Sequence, residues 1–324
     1  MHIIRYLIIL VIISALNGNE PQKVSQNKKI AYLVSDLKIP FWDIMRKGIV
    51  YKTNTLGYEL QIYDAQNSLE KELKNTVKAI KSKVDGIIVS PLNSSSCVTI
   101  LKLAKRANIP VVISDIGTDK GEYVSYVASN NQQGAYAIAK VLVKQMKALG
   151  WENGTVGIIA IPQKRSNGKA RTAGFLKGLY ENNIRSSSLK QQVDFSYKET
   201  YDYTMQMIKA DPNLRAIWLQ GSDKYTGALD AIKDARKSGE ILLVTFDAEP
   251  VFLELIPKGV VIGAAMQQPF LMGEKAMSLL DKHLKGKVVK KSIELPVLAI
   301  SKENIGAKLD VIKRNVLGLD SDDR

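Results

Sequence analysis

From residue 29 onward, short apolar runs alternate with stretches whose apolar residues recur at helical spacing. Residues 30–35 (IAYLVS), 58–64 (YELQIYD), 86–90 (GIIVS) and 109–114 (IPVVIS) read as strands, and 41–56, 68–83 and 94–107 as helices. In 68–83, Leu69, Leu73, Thr76, Val77 and Ile80 share one face, which predicts an amphipathic helix. Gly57 stops the helix before it, and Ser94 is a candidate N-cap. After Asn131 the alternation restarts, with helices at 132–149, 168–182, 201–210 and 224–238 and strands at 155–161, 192–195, 216–220 and 241–246. Alternation of this kind predicts parallel sheets covered by helices, and its restart predicts two similar Rossmann-like α/β lobes. A strand at 260–264, a helix at 270–284 and the stretch 292–300 come too late to belong wholly to the second lobe, so the chain is expected to cross back. The tail 311–324 ends in LDSDDR, and its polarity predicts fraying.

Residues 1–28 do not fit this rhythm. Arg5 precedes an apolar run from Tyr6 to Leu16, and a polar, turn-rich segment follows, the order of a secretory signal. No small-x-small cleavage site stands out, so the segment reads either as a cleaved signal or as an anchor with a tether, and export is expected in both cases. With 324 residues and 45% hydrophobic content, the remainder can bury a core in each of two lobes. The 46 Lys and Arg against 32 Asp and Glu leave a net charge of +14, which favours polyanions in general. The basic residues lie at helix-like spacings beside acids, the pattern of solvated faces rather than of a nucleic-acid stripe. The lone Cys97 has no partner for a disulfide and reads as a buried small hydrophobe. His2 and His283, the only histidines, leave little material for imidazole catalysis or metal ligation, and no dinucleotide, P-loop or serine-hydrolase motif occurs. Neither a metal nor a cofactor is expected.

In open parallel sheets, ligands sit beyond the carboxyl ends of the strands. The residues there are Ser35 to Trp42 (SDLKIPFW), Ser114-Asp115, Gln220 to Asp223 (QGSD), Phe246-Asp247 and Gln267-Gln268-Pro269. Carboxylates and amides suit sugar hydroxyls, and aromatic rings suit the C–H faces of a sugar ring. With S-D-L-K-I-P-F-W, L-G-Y-E-L, G-I-I-V-S-P, A-N-I-P-V-V-I-S-D, V-A-S-N-N, G-F-L-K-G-L, V-T-F-D and M-Q-Q-P in this order, the chain resembles the ribose-binding-protein class of type I periplasmic sugar-binding proteins, which share their core with the lactose-repressor family. The resemblance implies two lobes joined by a three-crossover hinge: 29–130 with 268–295, and 131–267 with 296–310. It also implies ligand contacts from Ser35, Phe41, Trp42 and Asp115 in the first lobe, and from Lys169, Phe195, Asp247 and Gln267 in the second. Ile39, Ile116, Lys169 and Gly221 stand where ribose binders carry amides or arginines, so the cleft is expected to be more apolar than a ribose site. Lys169 and Arg171 form either an anion site at a helix N-terminus or a solvated first turn. Tyr197, Tyr201 and Tyr203 line either the cleft or the surface.

The function expected is that of an extracytoplasmic solute-binding protein that closes on a monosaccharide and presents it to an ABC permease. The alternative is a sugar sensor read by a histidine kinase ectodomain. Asp115 and Asp247 as a glycosidase pair would require a nucleophile or water activator that the rest of the chain does not suggest. A repressor would need a DNA-reading helix pair ahead of the core, where an apolar run stands instead, so no nucleic-acid partner is expected.

Overall fold

The computed structural model describes residues 28–319. The predicted signal or anchor and the last residues of the tail lie outside the described residues. The first sheet is built from β1 (Lys29–Val34), β2 (Glu59–Asp64), β3 (Gly86–Ser90), β4 (Val111–Ser114) and β5 (Ser125–Ser129), alternating with α1 (Pro40–Leu56), α2 (Leu69–Lys81) and α3 (Ser94–Arg106). The second contains β6 (Thr155–Ala160), β7 (Arg185–Gln191), β8 (Leu214–Leu219), β9 (Leu242–Phe246) and β10 (Gly263–Met266), with α4 (Asn131–Ala148), α5 (Ser166–Tyr180), α6 (Tyr197–Ala210), α7 (Tyr225–Asp234) and the short α8 (Phe252–Leu255) around it. Then α9 (Pro269–Leu284) packs on the first sheet, β11 (Ser292–Leu295) joins that sheet, and β12 (Leu298–Ser301) joins the other. Each sheet has six strands, in the orders β11-β5-β4-β3-β1-β2 and β12-β10-β9-β8-β6-β7. All pairings are parallel except that of β12 with β10. The chain therefore passes between the sheets three times, at Asn130-Asn131, at Gln267-Gln268 and at Pro296-Val297.

The central strands are apolar on both faces because helices cover both. Ile30, Tyr32, Ile88 and Val112 enter one cluster and Ala31, Ile87, Val89 and Ile113 another, and the second sheet repeats the arrangement with Ile217 and Leu243 against Ala216, Trp218 and Val244. Trp218 stacks on Phe175 of α5 with ring centroids 3.8 Å apart. Cys97 is fully buried, and burial pushes its thiol up to about 12.

Several elements differ from the sequence pattern for physical reasons. β7 spans Arg185–Gln191 rather than 192–195; as an edge strand it has no need of an apolar run, and its polar sequence RSSSLKQ carries no strand signal. The stretch 292–300 is two strands in different sheets, broken at Pro296. On α2 the stripe Leu69, Leu73 and Val77 faces solvent, and Glu72, Thr76 and Ala79 face inward. On the inward face Ala79 packs in the core and the Glu72 carboxylate accepts the Leu92 N–H at 2.7 Å in the loop after β3. Helical turns continue to Val316, past the expected start of the tail, because Ile312, Val316 and Leu317 complete the core of the second lobe.

Helices α1 and α9 touch backbone to backbone through small residues. A Cβ on Gly48 would stand 2.1 Å from the Phe270 carbonyl oxygen, and one on Gly273 2.2 Å from that of Met45. Gly48→Ala is expected to cost about 1–3 kcal/mol by overpacking, read as a lower urea midpoint at unchanged slope. Gly306→Ala, with no atom within 4 Å of its Cβ, is expected to change stability by less than about 0.5 kcal/mol.

Candidate functional site

The strands of both sheets end at one cleft between the lobes, with about 740 Å³ of empty space that includes open solvent. The first lobe contributes Ile39, Phe41, Trp42 and Asp115; the second contributes Arg165, Asn167, Arg171, Gln192, Phe195, Gln220, Asp223, Asp247 and Glu249; and Gln267 comes from a crossover.

The two aspartates are presented by the same local device. Asp115 follows β4 and Asp247 follows β9, each at φ 67°, in the left-handed region that Asp tolerates better than most side chains. The kinked amide of Asp115 donates to the Val127 carbonyl at 3.0 Å, and that of Asp247 to the Ala265 carbonyl at 2.9 Å, so each kink is tied to the neighbouring strand. Trp42 Nε1 donates to Asp115 Oδ2 at 3.1 Å, whereas Asp115 Oδ1 is buried without a hydrogen-bond partner. Burial pushes the Asp115 carboxyl up to about 6, against the pull of Arg171. Asp247 accepts from Gln267 Nε2 at 2.6 Å and from Arg171 at 3.4 Å; burial raises it as well, Arg171 opposing. Gln267 Oε1 is likewise buried and unpartnered.

Phe195 is placed by a capping box. Ser196 Oγ accepts the Glu199 N–H at 3.0 Å, and the Glu199 carboxylate reaches back to the N–H groups of Val193, Asp194 and Phe195 at 2.7, 3.2 and 2.9 Å. Phe41 and Trp42 open α1 directly after Pro40, meet edge-to-face with centroids 6.4 Å apart, and both line the cleft.

Six of the eight residues singled out from the sequence, Phe41, Trp42, Asp115, Phe195, Asp247 and Gln267, meet at this cleft. Ser35 and Lys169 do not. Ser35 is fully buried beneath it. Lys169 is exposed because the buried face of α5 runs through Asn167, Gly168, Arg171, Gly174, Phe175 and Gly178, and position 169 lies on the opposite side. Arg171 is the inward member of the pair. It donates through Nε to Asn131 Oδ1 at 2.8 Å and through one terminal nitrogen to the Gln220 carbonyl at 2.6 Å, with its guanidinium 3.8 Å from the centre of the Phe246 ring. Ile116 is fully buried in the first-lobe core and does not line the cleft, so of the two isoleucines expected to make it apolar only Ile39 reaches it. Tyr197 and Tyr201 bond Asp230 and Asp234 on the surface of the second lobe. Arg165, Asn167 and Gln192 were not singled out; Arg165 is the N-cap of α5, where arginine satisfies no helix amide, a mismatch that marks it.

A family described as periplasmic binding protein domain matches residues 30–288. The ribose import binding protein of Haemophilus influenzae is 30% identical over 86% of this chain and 92% of its own length. That of Escherichia coli K12 is 27% identical over 91% and 97%. Among solved structures, a carbohydrate transporter solute binding protein from Agrobacterium radiobacter in complex with D-arabinose superposes with a TM-score of 0.81 at 20% identity, covering 90% of this chain and 99% of that one.

The raised Asp115 carboxyl gives a pH prediction. An unfolded aspartate titrates near ~3.9, so between about pH 4 and 6 the folded chain holds a proton that the unfolded chain has released. Stability from this group therefore falls as pH rises through that window, by at most about 1.4 kcal/mol per unit. The stability of Asp115→Asn minus that of the native chain is expected to grow from pH 4 to 6 and to level off above, measured by denaturant titration at each pH.

Proposed function

The chain belongs to the periplasmic binding protein domain family, and on that premise we propose that it is an extracytoplasmic solute-binding protein that closes on a monosaccharide and presents it to an ABC importer. One observation carries this reading: carboxylates, an amide and aromatic rings from both lobes face a single cleft at the carboxyl ends of the strands. Asp115 and Gln267 each keep a buried acceptor oxygen without a partner, ready for a hydroxyl. Phe41 and Trp42 on one side and Phe195 on the other supply faces for the C–H edges of a sugar ring.

A ligand that contacts both lobes binds the closed arrangement more tightly than the open one and shifts the population by that difference. The three crossovers at the edge of the cleft give the lobes their hinge. Gln268 of the second crossover donates to the Pro296 carbonyl of the third at 2.8 Å and accepts from Asn315 at 3.0 Å, which couples two of the linking strands. Binding, rather than catalysis, is the role of the carboxylates: Trp42 holds Asp115, and Gln267 with Arg171 holds Asp247. The curated relatives named above are import binding proteins, which favours a permease over a sensor kinase as the partner. In the same reading, residues 1–28 serve as the export signal or tether.

In a thermal-shift screen of purified protein against neutral aldoses, polyols and charged sugars, at least one is expected to raise the midpoint by several degrees at ~100 times its Kd, equivalent to about 2.7 kcal/mol. Asp115→Ala and Asp247→Ala are each expected to abolish the shift while circular dichroism shows a folded chain. Silence of the whole panel would sink the monosaccharide reading.

A further inference from the structure

Arg165 is a buried cation without a carboxylate partner. Its residue exposure is 9%, and its Nε donates to the Leu92 carbonyl of the first lobe at 3.2 Å. Among the described residues its terminal nitrogens make no hydrogen bond and no carboxylate oxygen lies within 4.0 Å. Its guanidinium lies 5.6 Å from the ring centres of both Trp42 and Phe195, between the aromatic walls of the two lobes. The other cations of the cleft are paired within the protein: Arg171 meets Asp247, and Lys224 meets Asp223 at 2.7 Å, whereas the carboxylates of Asp115 and Glu249 have no cation within 4.0 Å among the described residues. Asp115 acts on Arg165 only at longer range.

A guanidinium offers five N–H donors, and here a single one is used. Leaving a buried charge uncompensated is costly, and a small uncharged side chain at this position would avoid that cost. The site nevertheless fixes the arginine's place: the Leu92 carbonyl that receives it belongs to a residue whose own N–H is held by Glu72. The N-terminus of α5, where the N-cap side chain accepts no helix N–H and Asn167 Oδ1 takes only that of Gly168 at 2.9 Å, opens beside it and adds the positive end of the helix dipole.

We propose that Arg165 is a specificity-determining residue that receives an anionic group, a carboxylate or a phosphate, on a ligand of monosaccharide size whose hydroxyls meet Asp115 and Gln267. This inference rests on the sugar-binding reading above and narrows its substrate class to acidic sugars. The planar fork of the guanidinium matches two oxygens of either anion.

The test is calorimetric titration of the full-length protein with neutral aldoses, each set beside its carboxylate form (glucose with glucuronate and gluconate) and its phosphate form (ribose with ribose 5-phosphate, glucose with glucose 6-phosphate). At least one anionic form is expected to bind about tenfold or more tightly than its neutral parent, as a charge-assisted bond at a desolvated site implies. Whether the carboxylate or the phosphate series carries the preference identifies which anion is received. Arg165→Gln is expected to collapse the ratio of anionic to neutral affinity to near unity, and Arg165→Lys to keep part of it. Loss of the cross-lobe bond to Leu92 alone would weaken both members of a pair alike and leave the ratio standing, so a ratio preserved in Arg165→Gln overturns the proposal. Neutral sugars binding as tightly as every charged form overturns it while leaving the sugar-binding reading intact, and the absence of binding by any sugar, neutral or charged, overturns both.

Discussion

The buried guanidinium of Arg171 joins the parts of the cleft that chain order keeps far apart. It lies on the Phe246 ring at the end of β9, reaches the carbonyl of Gln220 after β8, faces Asp247, and bonds Asn131 at the first crossover. A fixed planar cation with several donors orients two strand ends and the first crossover at once, which a flexible ammonium could not do. The orientation of Asp247, and through it the amide of Gln267, follows from this placement. The second lobe thus offers a preorganised wall before any ligand arrives, and such a wall lowers the ordering cost of binding.

The two lobes repeat a single construction. Parallel strands buried between helix layers end at one edge, and each lobe kinks the residue after a central strand to hold an aspartate toward the gap. The lobes differ in how those aspartates are held. Asp115 has an indole donor and one oxygen left over, whereas Asp247 is held by both a cation and an amide. The first lobe accordingly carries the less satisfied acceptor, and the second carries most of the positive charge.

Much of this architecture was legible in the sequence because buried parallel strands are continuous apolar runs. IAYLVS, GIIVS, AIWLQ and ILLVTF have no other plausible use, and the polar residues that follow them mark the cleft. Family membership, expected from the ordered segments, is borne out by the match over residues 30–288. What the pattern did not carry was long-range or rotational. The edge strand β7 is polar because one of its sides pairs with nothing, and α2 turns its leucines outward while Thr76, Ala79 and the Glu72 carboxylate that meets Leu92 face in. Lys169 and Arg171 stand two residues apart on a helix, some 200° around its axis, and only the stripe of Gly168, Arg171, Phe175 and Gly178 tells which one points in. Arg165 is legible only as a poor helix cap until Trp42 and Phe195, far away in sequence, are seen on either side of it.

The left-handed kinks at Asp115 and Asp247 restrict what can replace those residues. A backbone at φ 67° accepts aspartate, asparagine or glycine with little strain and resists longer and branched side chains. Each kink is also pinned to its neighbouring strand by an amide bond that does not depend on the side chain. At the cleft's two central acceptors the backbone therefore favours a short alphabet, in which the carboxylate is neutralised to an amide or deleted more readily than it is lengthened. The helix openings that carry Phe41, Trp42 and Arg165 lie outside that left-handed constraint, so the cleft's walls are freer to change in size and charge than its two strand-end acceptors.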